Sequence, residues 1–92
     1  MTAVVLTGEL VCATDDEAAA VARHLPLHLS LTRGEPGCES FEVTPSAQPR
    51  VWAVNERFRD AASFHAHQAR VAESEWGRAT AGIERRYEIR GL

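Results

Sequence analysis

The spacing of apolar residues changes along this chain, and the order of the changes limits the folds that it can adopt. Four segments alternate apolar and polar side chains, the pattern of a β-strand: residues 3–12, 40–44, 51–58 and 83–90. Three segments carry apolar residues at helical spacing: residues 14–33, 61–72 and 73–81. This order predicts one ferredoxin-like α+β domain over residues 1–92, a βαββαβ chain whose antiparallel four-stranded sheet has its helices on one face.

Local signals mark where the helices begin and end. Thr14 and Glu17 have the spacing of a capping box, so the first helix should begin there. Pro26 is predicted to kink or split this helix, because proline removes an amide donor and crowds the preceding turn. The turn at residues 34–37 should end the helix with a left-handed glycine, and Gly82 should end the last helical segment.

The strands at residues 3–12 and 51–58 carry apolar side chains on both of their faces. Helices on one side of the sheet leave the other side open to water. We therefore expect a second copy of the chain to cover the open side, in a symmetric homodimer packed sheet against sheet. Gly8 in the middle of the first strand indicates a bulge or a close backbone approach.

Composition and charge exclude several classes of partner. Ten Lys and Arg residues against thirteen Asp and Glu give a net charge of −3, so there is no basic excess for binding nucleic acid. The longest apolar run is too short to cross a membrane, and the first residues lack the basic start of a signal peptide. Cys12 and Cys38 have no metal or redox spacing, so we expect a cytoplasmic protein with reduced thiols.

Two segments of the sequence resemble those of a known protein family. The first reads Leu-Thr-Arg-Gly-Glu-Pro-Gly-Cys over residues 31–38 and continues with Phe-Glu-Val at residues 41–43. The second reads Asn-Glu-Arg-Phe-Arg-Asp-Ala-Ala-Ser-Phe-His-Ala-His over residues 55–67. Together they resemble the antibiotic biosynthesis monooxygenase domain family, which includes small quinol monooxygenases. The resemblance implies a dimeric α+β barrel in which the two sheets enclose a shared barrel.

The same resemblance implies a reaction that needs no cofactor and no metal. Several members of the family oxygenate phenols, quinols or anthrones with dioxygen alone, whereas others degrade haem or isomerise a small sugar-like signal. The expected function is therefore oxygenation of a small aromatic polyphenol, quinol or polyketide-like compound. Such a site needs a base, a hydrogen-bond donor for the substrate oxyanion, and an apolar cavity that excludes water.

Glu56 is the first candidate for the base. It shares a strand face with Trp52, Val54 and Phe58, and we expect this face to point toward the helices. Burial among such neighbours would raise the pKa of the carboxyl group into a useful range. The alternative is a structural ion pair between Glu56 and an arginine of a neighbouring strand.

Histidines on the inner faces of the helices are the other candidates for catalysis. His67 is predicted to face inward and to form an acid/base pair with Glu56, and His28 on the first helix could reach the same cavity. The alternative is that His67 is a core histidine without a chemical role. His24 and His65 should face solvent, and His24 with His28 lacks a third ligand in the sequence for a metal.

Aromatic residues could line a substrate cavity, and the alternative for each is ordinary core packing. The candidates are Trp52, Phe58, Phe64, Trp76 and Tyr87.

Two further functions stay open. One is an oxygen-independent acid/base enzyme, such as an isomerase, that uses the same Glu56 and His67 pair. The other is a non-enzymatic small-ligand-binding or dimerisation module, in which side chains fill the interior and an arginine neutralises Glu56.

Overall fold

The computed structural model describes residues 2–92, and their elements follow the predicted order. The bounds are β1 (Val4–Val11), α1 (Asp15–Arg33), β2 (Cys38–Pro45), β3 (Val51–Phe58), α2 (Ala61–Ala72), α3 (Glu75–Ala79) and β4 (Glu84–Arg90). The βαββαβ arrangement confirms the ferredoxin-like prediction, with α2 and α3 together in the second helical position. None of the helices within these residues is long and apolar enough to cross a membrane.

The four strands form an antiparallel sheet in the order β2-β3-β1-β4. Glu56 in β3 lies between Leu6 in β1 and Phe41 in β2. Residues paired across a sheet point to the same side, so these three side chains face the helices together. The sheet therefore holds the Glu56 carboxyl group inside the molecule, as the alternation of β3 predicts.

The core fills the space between the sheet and the helices. Its most buried side chains are at most 2% exposed and include Val4, Leu10, Val21, Val54 and Phe58. Gly8, at the centre of β1, sits against β4 so closely that a Cβ atom there would overlap the carbonyl oxygen of Arg86. The structure thus shows the close backbone approach that a glycine in mid-strand indicates.

Helix α1 begins as predicted and then differs from the prediction at its proline. The Thr14 hydroxyl accepts the Glu17 amide at 3.1 Å, and the Glu17 carboxylate accepts the Ala13 amide at 2.7 Å. Of the two effects predicted for Pro26, a kink or a split, the split does not occur, since α1 is continuous from Asp15 to Arg33. Pro26 lies on the exposed side, and the buried residues on either side of it hold both halves against the sheet.

The turn after α1 places its left-handed glycine later than the helix end. Gly34 caps the helix with φ −85°, whereas Gly37 has φ +86°. A Cβ atom at Gly37 would overlap the side chain of Ser63 at the start of α2. Only glycine fits both the conformation and the space, so this position brings the turn, with Glu35 in it, against α2.

The last helical segment is shorter than predicted. Helix α3 spans five residues. Ser74 is its N-cap, whose hydroxyl accepts the Gly77 amide, and Thr80 is its C-cap. Gly82, predicted to end the segment, follows two residues later. The Thr80 hydroxyl donates to the carbonyl oxygen of Trp76 at 2.6 Å, so the helix closes on itself before Gly82 is reached.

The other side of the sheet carries no helix. At its centre, half-buried Val5, Thr7, Glu9, Val11 and Ala53 and buried Val51 lie beside exposed Asn55 and Arg57. Toward the β4 edge the same side becomes charged, with the row Glu84, Arg86, Glu88 and Arg90. The open side thus has an apolar strip around Val11, Val51 and Ala53 and becomes charged toward the β4 edge.

Candidate active site

Glu56 is a carboxyl group buried without a charged partner of its own. It is 8% exposed, and its Oε1 atom makes no hydrogen bond with the residues that the structure describes. Burial raises its pKa from 4.5 to about 7, and the negative charge of Glu35 acts in the same direction. No arginine of residues 2–92 pairs with it, which argues against the alternative of a structural ion pair.

His67 faces Glu56 from α2, as its position on the inner stripe predicts. It is 2% exposed, and its Nε2 atom lies 3.9 Å from the Glu56 Oε1 atom. This distance is too long for a direct hydrogen bond, so a small shift of either side chain would be needed to make one. Burial lowers the pKa of His67, although the hydrogen bond and charge of Glu35 partly oppose the effect.

Glu35 and Arg70, which were not among the candidates from the sequence, lie on the Nδ1 side of His67. The Glu35 Oε1 atom lies 2.9 Å from His67 Nδ1 and 2.8 Å from the nearest guanidinium nitrogen of Arg70. Arg70 also donates to the hydroxyl of Thr32, a fully buried residue of α1, at 3.0 Å. The spacing of His67 and Arg70, three residues apart on one helix face, is a signal that could have placed Arg70 beside His67, although it carries no information about Glu35.

His28 faces the same region from α1. Its ring stacks on Trp76 of α3 with centroids 4.4 Å apart and planes within 3°, and it lies 6.0 Å from the ring of His67. It is 4% exposed and its Nδ1 atom has no hydrogen-bond partner among the described residues. Burial lowers its pKa to about 3, with smaller contributions from nearby His67, Arg70 and Arg85, so it is neutral.

Aromatic rings surround the two histidines. Phe58 lies 4.9 Å from His67 and Phe41 lies 5.6 Å from it, while Phe41 also meets His28 edge-on at 5.2 Å. Phe64 stands one layer farther out, edge-on to Phe58 at 5.9 Å. Phe41 was not among the candidates from the sequence, although its alternation within the strand of residues 40–44 places it on the inner face.

Two of the aromatic candidates lie away from the histidines. Tyr87 is half-buried on β4 opposite Gly8, and burial raises its pKa to about 12, with the charge of Glu56 adding to the effect. Trp52 lies four residues from Glu56 along β3, near the turn of residues 45–51 and against Ala18. The rings of Phe58, Trp76 and the two histidines therefore form one cluster, with Glu56 beside His67, whereas Trp52 lies at the far end of the strand.

A cavity of about 190 Å³ opens at the surface between α1 and α3. The stacked rings of His28 and Trp76 form part of its wall, and the exposed side chains of Leu27 and Leu31 stand at its rim. His24 also lines it and is half-buried, so the expectation that His24 faces solvent is wrong. The cause is α3, which packs beside the α1 turn that carries His24.

The same cavity brings Glu75 toward the two histidines of α1, a carboxylate that sequence spacing alone could not place there. Even so, within residues 2–92 no three His, Cys, Asp or Glu side chains are grouped closely enough to hold a metal ion.

The chemistry available to this cluster is proton transfer. A carboxyl group with a pKa of about 7 can both accept and release a proton near neutral pH. The neutral imidazole of His67 lies 3.9 Å away, and both groups are buried. Such an arrangement can remove a proton from a weakly acidic hydroxyl group and return it later.

Solved structures share this fold at low sequence identity. A cofactor-independent oxygenase from Streptomyces nogalater, SnoaB, superposes with a TM-score of 0.81 at 8% identity, covering 100% of this chain and 94% of its own. A conserved protein from Bacteroides thetaiotaomicron gives 0.80 at 17% identity, covering 99% and 98%. A protein from Deinococcus radiodurans proposed to be an antibiotic biosynthesis monooxygenase gives 0.78 at 20% identity, covering 97% and 91%. At these identities the likeness shows the fold alone.

Sequence comparison gives the family. No curated protein matches the chain. The family model for antibiotic biosynthesis monooxygenase, however, matches residues 4–78, which include both segments noted in the sequence and the whole cluster around Glu56. The chain therefore belongs to the antibiotic biosynthesis monooxygenase family.

Proposed function

We propose that this protein is a cofactor-independent monooxygenase that inserts one atom of dioxygen into a small aromatic polyphenol, quinol or related polyketide-like substrate. The observation that carries the proposal is the unpaired, buried carboxyl group of Glu56 with its pKa near 7, beside His67 and within a shell of aromatic rings. Membership of the family and the fold shared with a cofactor-independent oxygenase support it.

The cavity between α1 and α3 is the proposed docking place for the substrate ring. Leu27, Leu31 and Trp76 give it apolar walls, and His28, which also lines it, lies 6.0 Å from the ring of His67. Because His28 is neutral, one of its ring nitrogens carries a hydrogen that can be donated to a substrate oxyanion. His28 would thus hold the oxygen that loses its proton.

In the proposed reaction, the pair of Glu56 and His67 takes the proton of a substrate hydroxyl group. The resulting electron-rich anion passes one electron to dioxygen, and the two radicals combine to form a carbon–oxygen bond. Glu56 returns its proton to the peroxide. Loss of the remaining hydrogen from that carbon then breaks the O–O bond, leaving a carbonyl group on the product and one molecule of water. The substrate loses four electrons, and dioxygen accepts all four.

The test is oxygen uptake by metal-stripped protein with a panel of quinols and anthrones. Glu56→Gln and His67→Ala should lose uptake above the autoxidation blank, whereas Glu39→Gln, at an exposed ion pair on β2, should keep it. Under ¹⁸O₂ the product should gain one labelled atom. Turnover that continues without oxygen would favour an acid/base enzyme such as an isomerase, and binding without turnover would favour a ligand-binding module.

We also propose that the protein is a homodimer joined through the open side of the sheet, and that it resides in the cytoplasm. The half-buried strip of Val5, Thr7, Val11 and Ala53 supports the dimer, and the two free thiols are compatible with a reducing compartment. Light scattering should give about twice the chain mass of 10.1 kDa, and Ala53→Lys should lower it. A wild-type mass of 10.1 kDa would contradict the dimer.

A further inference from the structure

The two ring nitrogens of His67 have different neighbours: Glu35 lies beside Nδ1, and Glu56 lies nearer Nε2. One oxygen of Glu35 lies 2.9 Å from His67 Nδ1 and also accepts the Arg70 Nε–H at 2.9 Å. Arg70 is anchored in turn by Thr32. Three separate segments, α1, the following turn and α2, therefore meet at one carboxylate that touches His67 on a single nitrogen.

The charge of Arg70 determines what that contact means. A carboxylate paired with a guanidinium group is ionised, and an ionised carboxylate can only accept hydrogen bonds. His67 Nδ1 must then carry the hydrogen in this contact. In the neutral ring the lone pair is left on Nε2, which is the nitrogen that lies 3.9 Å from Glu56 Oε1.

We propose that Glu35, charged by its pairing with Arg70, is a positioning residue that holds His67 in the Nδ1–H tautomer and so directs the Nε2 lone pair at Glu56. The inference rests on the proposed function, because it assigns Nε2 of His67 the role of accepting the substrate proton or the Glu56 proton. Glu35 itself touches neither the cavity over His28 nor Glu56, so it acts through His67.

The surroundings of Glu56 agree with this direction. With the opposite tautomer, Nε2–H would face Glu56 and could satisfy its unpartnered oxygen by a modest shift. With the lone pair facing Glu56, the favoured partner is instead a neutral carboxyl group that can donate its hydrogen. The titratable and charged groups that face His67 are Glu35, Arg70, neutral His28 and Glu56. Among these groups, a single proton shared between the Glu56 carboxyl group and His67 Nε2 fits the arrangement.

The experiment is to measure the tautomer directly by ¹⁵N NMR of the histidine rings, with His67 assigned by the loss of its signals in His67→Ala. Wild-type protein at pH 6.5, where Glu56 is mostly protonated, should show a protonated Nδ1 and an unprotonated Nε2. Glu35→Gln should give a mixture or the opposite tautomer, because an amide can donate as well as accept. Glu39→Gln, a matched change at an exposed ion pair, should leave the signals of His67 unchanged.

Activity provides the second readout. With a quinol that the wild type oxidises, Glu35→Gln should lower kcat by roughly 10- to 100-fold, the range seen when a partner that orients a functional histidine is removed. In Glu35→Gln the pH dependence of kcat should shift, while KM should stay within a few-fold of the wild-type value. Glu35→Asp should restore part of the rate.

The outcomes separate this inference from the proposed function. If no quinol is oxidised, the proposed function fails and the NMR measurement still decides the tautomer. An Nε2–H signal in the wild type would overturn the inference, as would an unchanged tautomer in Glu35→Gln. If Glu35→Gln does not fold, the tautomer is measured in Glu35→Asp, where the shorter side chain should give a mixture and an unchanged Nδ1–H population would overturn the inference.

Discussion

Replacing Glu56 by glutamine should make the fold more stable at alkaline pH. The pKa of Glu56 is about 7 in the folded protein, against 4.5 for an unperturbed glutamic acid. Between these values the folded state binds more protons than the unfolded chain, so the free energy of unfolding falls as the pH rises. At about 1.4 kcal/mol for each pH unit of difference, the charged Glu56 costs about 3 kcal/mol above pH 7.

The glutamine variant removes this cost because it carries no charge at any pH. Its free energy of unfolding should therefore rise relative to that of the wild type from pH 4.5 to pH 7 and level off above, with a total change of about 3 kcal/mol. For a domain of this size such a gain corresponds to a rise of roughly 10 °C or more in Tm. A change in packing at position 56 would shift the whole difference curve vertically and leave its slope intact.

Urea unfolding of both proteins across pH 4 to 8.5 gives the measurement. The difference between them is diagnostic, because His28 and His67 have lowered pKa values and make both proteins less stable in acid. Glu39→Gln, at an exposed site, supplies the control with a flat difference near zero. A difference between wild type and Glu56→Gln that stays constant from pH 4.5 to 7.5 would refute the reasoning.

Three further changes test other parts of the structure. His28→Leu should remove much of the acid destabilisation between pH 6.5 and about 3, because the folded protein keeps His28 neutral while the unfolded chain protonates it. In acid titrations followed by circular dichroism, an unfolding midpoint unchanged from the wild type would contradict this. Gly37→Ala should lower the free energy of unfolding by about 2 kcal/mol or more through its positive φ and the overlap with Ser63, whereas Gly82→Ala, with open space around it, should be nearly neutral; equal effects in thermal melts would contradict this. Thr14→Ala should cost about 1 kcal/mol by removing the cap of α1, and a loss below about 0.3 kcal/mol in urea unfolding would indicate that the cap contributes little.

The fold could be predicted because its signals are local. Alternation in β1 and β3, the cap at Thr14 and the glycines of the turns each depend on residues close together in the sequence. The predicted split at Pro26 does not occur, because tertiary packing on both sides of an exposed proline outweighs the local cost of a missing hydrogen bond.

The candidate site was predictable in part for the same reason. The inward positions of Glu56, His67 and His28 follow from strand and helix periodicity, and the structure confirms those positions. Glu35 could not be assigned in this way, because it lies in a turn that has no period and meets His67 across 32 residues of sequence. The half-burial of His24 depends on where α3 packs, which no pattern within α1 records.

The position of Trp76 on α3 has a consequence for motion. A helix of five residues is far too short to be stable alone, so α3 keeps its shape through its caps and its contacts with α1 and α2. Detaching it exposes much less apolar surface than unfolding the whole domain, and local opening of this kind requires correspondingly less free energy. Trp76, which stacks on His28 in the wall of the cavity, is thus carried by a segment that can open without unfolding of the sheet. Passage of molecules to Glu56 can then be governed by the frequency of that opening and need not await any movement of the sheet.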